Sequence, residues 1–216
     1  MYKAVRHIVC FGDSNTHGYC GDPSDTESGS GRFTERERWT CLLQNALGEG
    51  FRVYEEGLSG RTTVFDDPLH ECMSGLRVIF SVLMTHEPVD LLIVMLGTND
   101  CKERFSANPV CIADGLERLC QKAETVPCWR DGKPNILVIS PPAMKEGFHN
   151  EDMGLCCIEK SAHLGRTLSE KARANGWHFL DAEGVAEFNK VDFMHLSRKG
   201  NAQLAERLAT LIPELL

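Results

Sequence analysis

The sequence predicts an α/β protein in which a parallel sheet of five strands lies between two layers of helices. Short apolar runs alternate along the chain with segments in which apolar residues recur every three or four positions. The run at 91–96 is apolar at every position, which is typical of a strand covered on both faces. Such alternation favours right-handed crossovers and parallel strands. Because no repeat or low-complexity tract interrupts the pattern, we expect a single domain over residues 1–216.

Each predicted strand is a short, mainly apolar run that ends in glycine, serine, proline or acidic residues. From the amino terminus, the five runs lie at 8–11, 51–54, 91–96, 136–139 and 177–180. The predicted helices follow the helical spacing of apolar residues, and Gly48 is a natural stop for the first of them. These helices lie near 39–47, 76–83, 112–120, 155–175 and 204–212. The stretch 21–31 is rich in Gly, Ser and Asp, which predicts a long loop.

The net charge of the chain indicates which classes of binding partner are disfavoured. The formal net charge is -8 and the isoelectric point is about 5.5. An acidic surface disfavours nucleic acid and anionic membrane, so we expect no nucleic-acid partner and no membrane partner. The apolar segment at 8–11 is far too short for a signal-peptide core or a membrane span. We therefore expect a cytoplasmic protein that acts on a small molecule.

The ten cysteines do not indicate a disulfide framework or a metal site. The chain is not small, and several cysteines lie within apolar runs. No C-x-x-C pair is present, and the adjacent Cys156 and Cys157 are poorly placed to share a tetrahedral metal. We expect reduced thiols, no bound metal and no cofactor. Flavin or nucleotide binding is an alternative for such a sheet, but the glycine-rich phosphate loop that it needs is missing.

Polar residues of catalytic type follow the predicted strands. Ser14 comes after the first strand, Gly60 after the second and Asn99 after the third, and Asp192 and His195 come between the fifth strand and the last helix. Because reactive groups in parallel sheets gather at the carboxyl ends of strands, we expect these residues to meet. A serine hydroxyl needs a base to take its proton, and a carboxylate orients that base. The pattern predicts Ser14 as nucleophile, His195 as base and Asp192 as acid.

The same segments offer donors for an oxyanion. We expect the backbone N–H groups of Ser14 and Gly60, together with the Asn99 amide, to form the oxyanion hole. Simpler interpretations exist for each residue. Ser14 can merely cap a helix, Gly60 can serve only a turn, and Asn99 or Asp100 can cap the helix that follows.

Three further residues are candidates for the substrate pocket. Asp13 precedes the nucleophile, and we interpret it mainly as a residue that holds the turn. Arg61 follows Gly60 and is equally compatible with an internal ion pair or a pocket wall. His17 lies three residues after Ser14, either at the pocket entrance or towards solvent.

Together these segments resemble the SGNH (GDSL-type) hydrolase family. Its four blocks are similar to 12–15 (Gly-Asp-Ser-Asn), Gly60, 97–100 (Gly-Thr-Asn-Asp) and the pair Asp192 and His195 three positions apart. The resemblance covers almost the whole chain. It implies a flavodoxin-like three-layer α/β/α sandwich, the SGNH hydrolase fold, and a metal-free mechanism through an acyl-enzyme.

A closer resemblance is to the oligomeric arylesterase/acyltransferase branch of that family. It rests on the segments 38–40, 55–63, 66–68 and 95–100. The chain departs from that branch at His17, where the branch tends to carry tryptophan, and at 144–152, which is more charged. The branch implies a homo-oligomer in which the polar segment 20–38 contributes to subunit contacts.

We therefore expect a serine esterase that hydrolyses small carboxylic esters, with short-chain acyl, aryl or acetylated-sugar esters as substrates. The same triad also suits an acyltransferase, or a thioesterase or lysophospholipase. A non-catalytic binding protein with this fold is a further alternative, against which the intact set of catalytic residues argues.

Overall fold

A computed structural model describes residues 4–216, which form a five-stranded sheet between helices. The strands are β1 (Arg6–Gly12), β2 (Phe51–Gly57), β3 (Leu91–Met95), β4 (Ile136–Ser140) and β5 (His178–Asp181). All neighbouring strands are parallel, and their order is β2-β1-β3-β4-β5. The predicted fold class is thus confirmed. Strand order reverses beside β1, and in such sheets ligands bind outside the carboxyl ends of the strands at this point, here β1 and β3.

Helices cover both faces of this sheet. They are α1 (Ser14–His17), α2 (Trp39–Leu47), α3 (Gly75–Thr85), α4 (Pro109–Glu124), α5 (Cys157–Ala162), α6 (Leu164–Asn175) and α7 (Arg198–Leu215). Helices α2 and α7 pack together on one face, and α4 packs with α3 and α6 on the other. Within residues 4–216, no helix is both long enough and apolar enough to cross a membrane.

Successive side chains of β1 point to opposite faces of the sheet and so contribute to two separate apolar cores, one on each face. Ile8 and Cys10 point towards α2 and α7, whereas Val9 and Phe11 point towards the opposite layer. All four side chains are at most 1% exposed. Because a strand covered on both faces buries every side chain, it reads in the sequence as an unbroken apolar run. Burying each large apolar side chain contributes roughly 1.5–3 kcal/mol.

The prediction of one continuous helix over 155–175 is wrong. The structure divides 155–175 into α5 and α6, with His163 between them. Helix α6 lies close to the end of β5, because a Cβ on Gly165 would lie 2.7 Å from Asp181 Oδ2. Leu164 and Leu168 are fully buried after the break, as Cys157 is before it, so the apolar pattern does not reveal the interruption.

Candidate active site

Ser14, the candidate nucleophile, lies on the tight turn that leaves β1. The Asp13 side chain caps α1 by accepting a hydrogen bond from Asn15 N at 2.9 Å, so Ser14 becomes the first residue of that helix. A side chain at Gly12 would clash with Thr16, since its Cβ would lie 2.1 Å from Thr16 Oγ1. The turn therefore needs glycine at 12. Ser14 is 5% exposed, at the carboxyl end of β1.

His195 lies between Ser14 and Asp192. Its Nε2 is 2.9 Å from Ser14 Oγ, and its Nδ1 is 2.8 Å from Asp192 Oδ2. The other carboxylate oxygen of Asp192 accepts the backbone N–H groups of Met194 and His195, each at 3.0 Å. Burial alone would favour the neutral carboxyl, but the bond to His195 and these N–H groups outweigh it and lower the pKa of Asp192 to about 2. Asp192 is therefore ionised near neutral pH.

Two asparagines for which no role was predicted, Asn189 and Asn15, hold this turn in place. Asn189 Nδ2 donates to Asp192 Oδ1 at 2.8 Å and to the His195 carbonyl at 2.9 Å. Asn15 Oδ1 accepts the Leu196 N–H at 2.9 Å, which ties the nucleophile helix to the histidine turn. Asn15 belongs to the block 12–15, and this position in the sequence could have indicated a role for it. Asn189 had no comparable signal.

The candidate oxyanion donors come from three segments that meet here. Asn99 Nδ2 donates to the Arg61 carbonyl at 3.2 Å and, more weakly, to Asp13 Oδ2 at 3.4 Å. The Asn99 amide thus lies between the nucleophile turn and the segment that follows Gly60. Within 4–216, the backbone N–H groups of Ser14 and Gly60 donate to no protein acceptor. Gly60 has φ +90°, a backbone conformation that favours glycine.

Asp13 and Arg61 lie inside the protein, at 2% and 6% exposure. Burial raises the pKa of Asp13 to about 6. The Arg61 guanidinium lies 4.2 Å from the centroid of the Phe11 ring. It donates to the carbonyl of Gly12 at 3.0 Å and to that of Glu56. Burial lowers the pKa of Arg61 to about 10. This placement fits the interpretation of Asp13 as a residue that holds the turn and, of the two roles open for Arg61, the internal one; contact of either residue with substrate stays a prediction.

His17, at the end of α1, is half-buried. Its carbonyl accepts a hydrogen bond from Arg32 Nε at 2.9 Å. Burial, and then the positive charge of Arg32, lower the pKa of the His17 imidazole. Within the described part of the chain, its ring makes no hydrogen bond to the catalytic candidates, so its place at the pocket entrance stays a prediction.

Asp100 does not cap the helix that follows. Helix α4 is capped by Asn108, whose side chain accepts from Cys111 N at 2.9 Å. Asp100 instead accepts the Thr63 N–H at 2.9 Å, across a gap of 37 residues. Burial raises the pKa of Asp100 to about 6. This bond joins the segment after β3 to the segment after β2, and so helps to place Asn99.

No group of three or more His, Cys, Asp or Glu side chains is arranged to hold a metal in the described residues. All ten cysteines are unpaired.

The fold and the site define a serine-dependent carboxylic ester hydrolase. The chain belongs to the GDSL-like lipase/acylhydrolase family, whose model matches residues 10–203. No curated protein sequence matches it significantly.

Solved structures agree with this assignment. The chain is 36% identical to the native aryl esterase of M. smegmatis over 98% of this chain and 100% of that one, with a TM-score of 0.88. It is 32% identical to Est24, a carbohydrate acetylesterase from Sinorhizobium meliloti, with the same coverage and TM-score. A lipolytic G-D-S-L family protein from Veillonella parvula DSM 2008 is 16% identical over 98% of this chain and 100% of that one, with a TM-score of 0.68, and shares the fold.

Proposed function

We propose that Ser14, His195 and Asp192 form the catalytic triad of an esterase that hydrolyses small carboxylic esters. The observation that carries this proposal is the continuous hydrogen-bond chain from Ser14 Oγ through the imidazole to the Asp192 carboxylate, at 2.9 and 2.8 Å. Asp192, ionised near neutral pH, orients the ring so that Nε2 faces the serine.

In the first half of the proposed reaction, Ser14 Oγ bonds to the ester carbonyl carbon while His195 Nε2 takes the hydroxyl proton. The carbonyl oxygen becomes an oxyanion, which accepts hydrogen bonds from the N–H groups of Ser14 and Gly60 and from Asn99 Nδ2. When the oxyanion forms, it replaces Asp13 Oδ2 as an acceptor for Asn99 Nδ2, because that contact is long, at 3.4 Å. Collapse breaks the bond to the alcohol oxygen, which leaves with the proton held by His195.

In the second half, water attacks the acyl-enzyme. His195 takes a proton from the water as its oxygen bonds to the acyl carbon, and the same donors hold the second oxyanion. Collapse breaks the bond to Ser14 Oγ, which recovers its proton from His195. The products are a carboxylic acid and an alcohol.

Aryl esters and acetylated carbohydrates are the first substrate classes to test. The similar structures from M. smegmatis and Sinorhizobium meliloti are those of an aryl esterase and a carbohydrate acetylesterase. We propose that this chain prefers short acyl groups within these classes.

The test compares p-nitrophenyl esters of increasing acyl length and acetylated sugars on the wild type and Ser14→Ala. We expect Ser14→Ala to fold normally and to lose about 10⁴- to 10⁶-fold in kcat. Ser81→Ala is the matched control, because Ser81 is exposed on α3 and its hydroxyl bonds only to Val78 O. A folded Ser14→Ala protein with wild-type turnover would refute the assignment. A serine-directed phosphonate should label the wild-type protein at Ser14 and should not label the Ser14→Ala protein.

We further propose that the chain forms a homo-oligomer whose interface partly roofs the active site. Two exposed apolar side chains belong to the segments that form the site. Tyr19, whose ring lies 4.4 Å from that of His195, is 41% exposed, and Val191, next to Asp192 in the chain, is 60% exposed. Contiguous apolar surface marks interaction sites, and we propose that a partner subunit completes such a surface over these two side chains.

Light scattering coupled to size exclusion tests the assembly. We expect a mass that is a multiple of 24.1 kDa. We expect Val191→Asp to shift it towards the monomer, because a charge would be buried in the interface. Val110→Asp serves as the control, because Val110 is also exposed but lies at the start of α4. A mass of 24.1 kDa for the wild type at micromolar concentration contradicts the proposal.

The unpaired cysteines support a reducing compartment, and we propose the cytoplasm. Cys72, Cys111 and Cys156 are exposed thiols, which oxidising compartments tend to pair. A membrane-impermeant thiol reagent should label these cysteines in lysed cells but not in intact cells.

A further inference from the structure

The segment 18–38, which follows the nucleophile helix, is built against the catalytic histidine turn. Tyr19 and Arg32 pair as an isolated antiparallel bridge, which brings the two ends of the segment together. Phe33 is 2% exposed and anchors one end in the protein. The segment also reaches the start of α7, where Asp25 Oδ2 accepts the backbone N–H of Arg198 at 2.7 Å. Segment 18–38 is therefore held in place by contacts along its length and is not a flexible loop.

Tyr19 packs directly on the ring of the catalytic base. The Tyr19 and His195 ring centroids are 4.4 Å apart, and the ring planes are tilted by 48°. At this distance the aromatic ring limits rotation of the imidazole out of line with Ser14 Oγ. An aromatic face also attracts a cation within about 6 Å, so it favours the imidazolium that forms during proton transfer.

Gly21 packs against the catalytic acid. A Cβ built on Gly21 would lie 1.9 Å from Asp192 Oδ2 and 3.0 Å from Asn189 Nδ2. Asp192 Oδ2 is the oxygen that bonds to His195 Nδ1. A side chain at 21 would therefore displace the carboxylate oxygen on which the orientation of the base depends.

We propose that segment 18–38 positions the histidine–aspartate pair, with Tyr19 holding the face of the His195 ring and Gly21 forming the wall behind the Asp192 carboxylate. Tyr19 and Gly21 are thus positioning residues for the reaction in the proposed function, on which this inference rests. Two separate contacts support this inference. The Tyr19 ring packs on the His195 ring, and the Gly21 backbone lies so close to the Asp192 carboxylate that no side chain fits between them.

The first test replaces Tyr19. An aromatic contact with the imidazole is worth about a two- to tenfold change in rate. We expect Tyr19→Leu to lower kcat by this factor with KM nearly unchanged, because the ring acts most strongly on the charged transition state. Tyr19→Phe keeps the ring and should restore wild-type kcat. Tyr54→Leu is the matched control, because Tyr54 stacks on a different histidine, His86, at 4.1 Å.

Nuclear magnetic resonance gives a readout that does not need activity. The ring-proton signals of His195, assigned by their loss in His195→Gln, should move in Tyr19→Leu and stay in place in Tyr19→Phe, because a nearby aromatic ring shifts them. If Ser14→Ala kept activity, the proposed function would fail, yet these signals would still report the contact. Unmoved signals and unchanged kcat in Tyr19→Leu would overturn the role of Tyr19, as would a KM effect alone.

The second test replaces Gly21. Gly21→Ala should lower kcat at least tenfold, because it pushes the acid away from the base, and loss of the acid alone in a triad costs about 10⁴-fold. Gly31→Ala is the control within the same segment, since a Cβ there would meet nothing within 4 Å. Both variants should keep the wild-type circular dichroism spectrum. Equal kcat for folded Gly21→Ala and Gly31→Ala would overturn the proposal for the acid.

Discussion

At the scale of single residues, the site depends on side chains that bridge segments far apart in the chain. Asn15 joins the nucleophile helix to the histidine turn at 2.9 Å. Asn99 joins the carboxyl end of β3 to the carbonyl of Arg61 at 3.2 Å. Arg61 in turn donates to the carbonyl of Gly12 at 3.0 Å. Because each bridge is buried, its hydrogen bonds do not compete with water, and the donors are held before a substrate arrives.

The Asn99 amide is the side-chain donor of the proposed oxyanion hole. We expect Asn99→Ala to lower kcat on the order of 10²- to 10³-fold while KM changes little, since the donor acts on the transition state. Steady-state kinetics on p-nitrophenyl acetate measures this. Asn45→Ala is the control, because Asn45 is an exposed residue of α2. An effect on KM alone would make Asn99 a ground-state contact.

At the scale of elements, Glu37 organises segment 18–38. Its carboxylate accepts hydrogen bonds from Thr26 Oγ1 at 2.8 Å, Glu27 N at 2.9 Å, and both the N–H and the hydroxyl of Thr34 at 2.8 Å. Burial alone would favour the neutral carboxyl, but these bonds outweigh it and lower the pKa of Glu37 to about 2. One buried carboxylate thus orders a segment that is otherwise rich in glycine and serine.

Replacing Glu37 should loosen that segment. In Glu37→Gln one acceptor oxygen becomes an NH₂ group, so a buried donor loses its partner at a cost of about 1–3 kcal/mol. We expect the melting temperature to fall by about 2–10 °C, and proteases to cut near 22–31. Glu35→Gln is the matched control, since the Glu35 side chain is 81% exposed. A Glu37→Gln protein as stable as the wild type would rule out this role.

At the scale of the whole molecule, buried carboxyls set the dependence of stability on pH. Burial raises the pKa of Asp13 and Asp100 to about 6, so ionising them opposes folding as pH rises from about 4 past 6. The pKa of Asp192 and Glu37 is lowered to about 2, so their contribution is complete above about pH 4 and is lost as pH falls towards 2. The two effects together predict maximal stability near pH 4, with a decline as the pH rises towards 6.

Thermal unfolding across pH 3–9 measures this profile. Asp100→Asn keeps an oxygen for the Thr63 N–H and removes the charge, so it should gain on the order of 2 kcal/mol relative to wild type at pH 8, and little at pH 4. Asp66→Asn is the control, because the Asp66 side chain is 58% exposed. Equal gains at both pH values would contradict the charge argument. A single transition would also support the prediction of one domain over 1–216.

The sequence was informative about the sheet and about the residues that end its strands. The runs at 91–96 and 136–139 match β3 and β4 within one residue, because strands covered on both faces must be apolar throughout. It did not reveal α1 or the break at His163. Helix α1 has four residues and depends on the Asp13 cap, and α6 begins where Gly165 meets Asp181. Neither feature has a periodic signal.

The sequence by itself determined the fold class, the order of the strands along the chain and the chemical type of each reactive group. Only the tertiary structure decided that Ser14 and His195, 181 residues apart, meet at 2.9 Å. It also decided that Arg61 points inward, that Tyr19 lies against His195 and that Gly21 lies against Asp192. Periodicity reports which face of an element is buried, because that depends on near neighbours. Contacts between distant segments depend on the packing of the whole sheet and its helices, which no local pattern encodes.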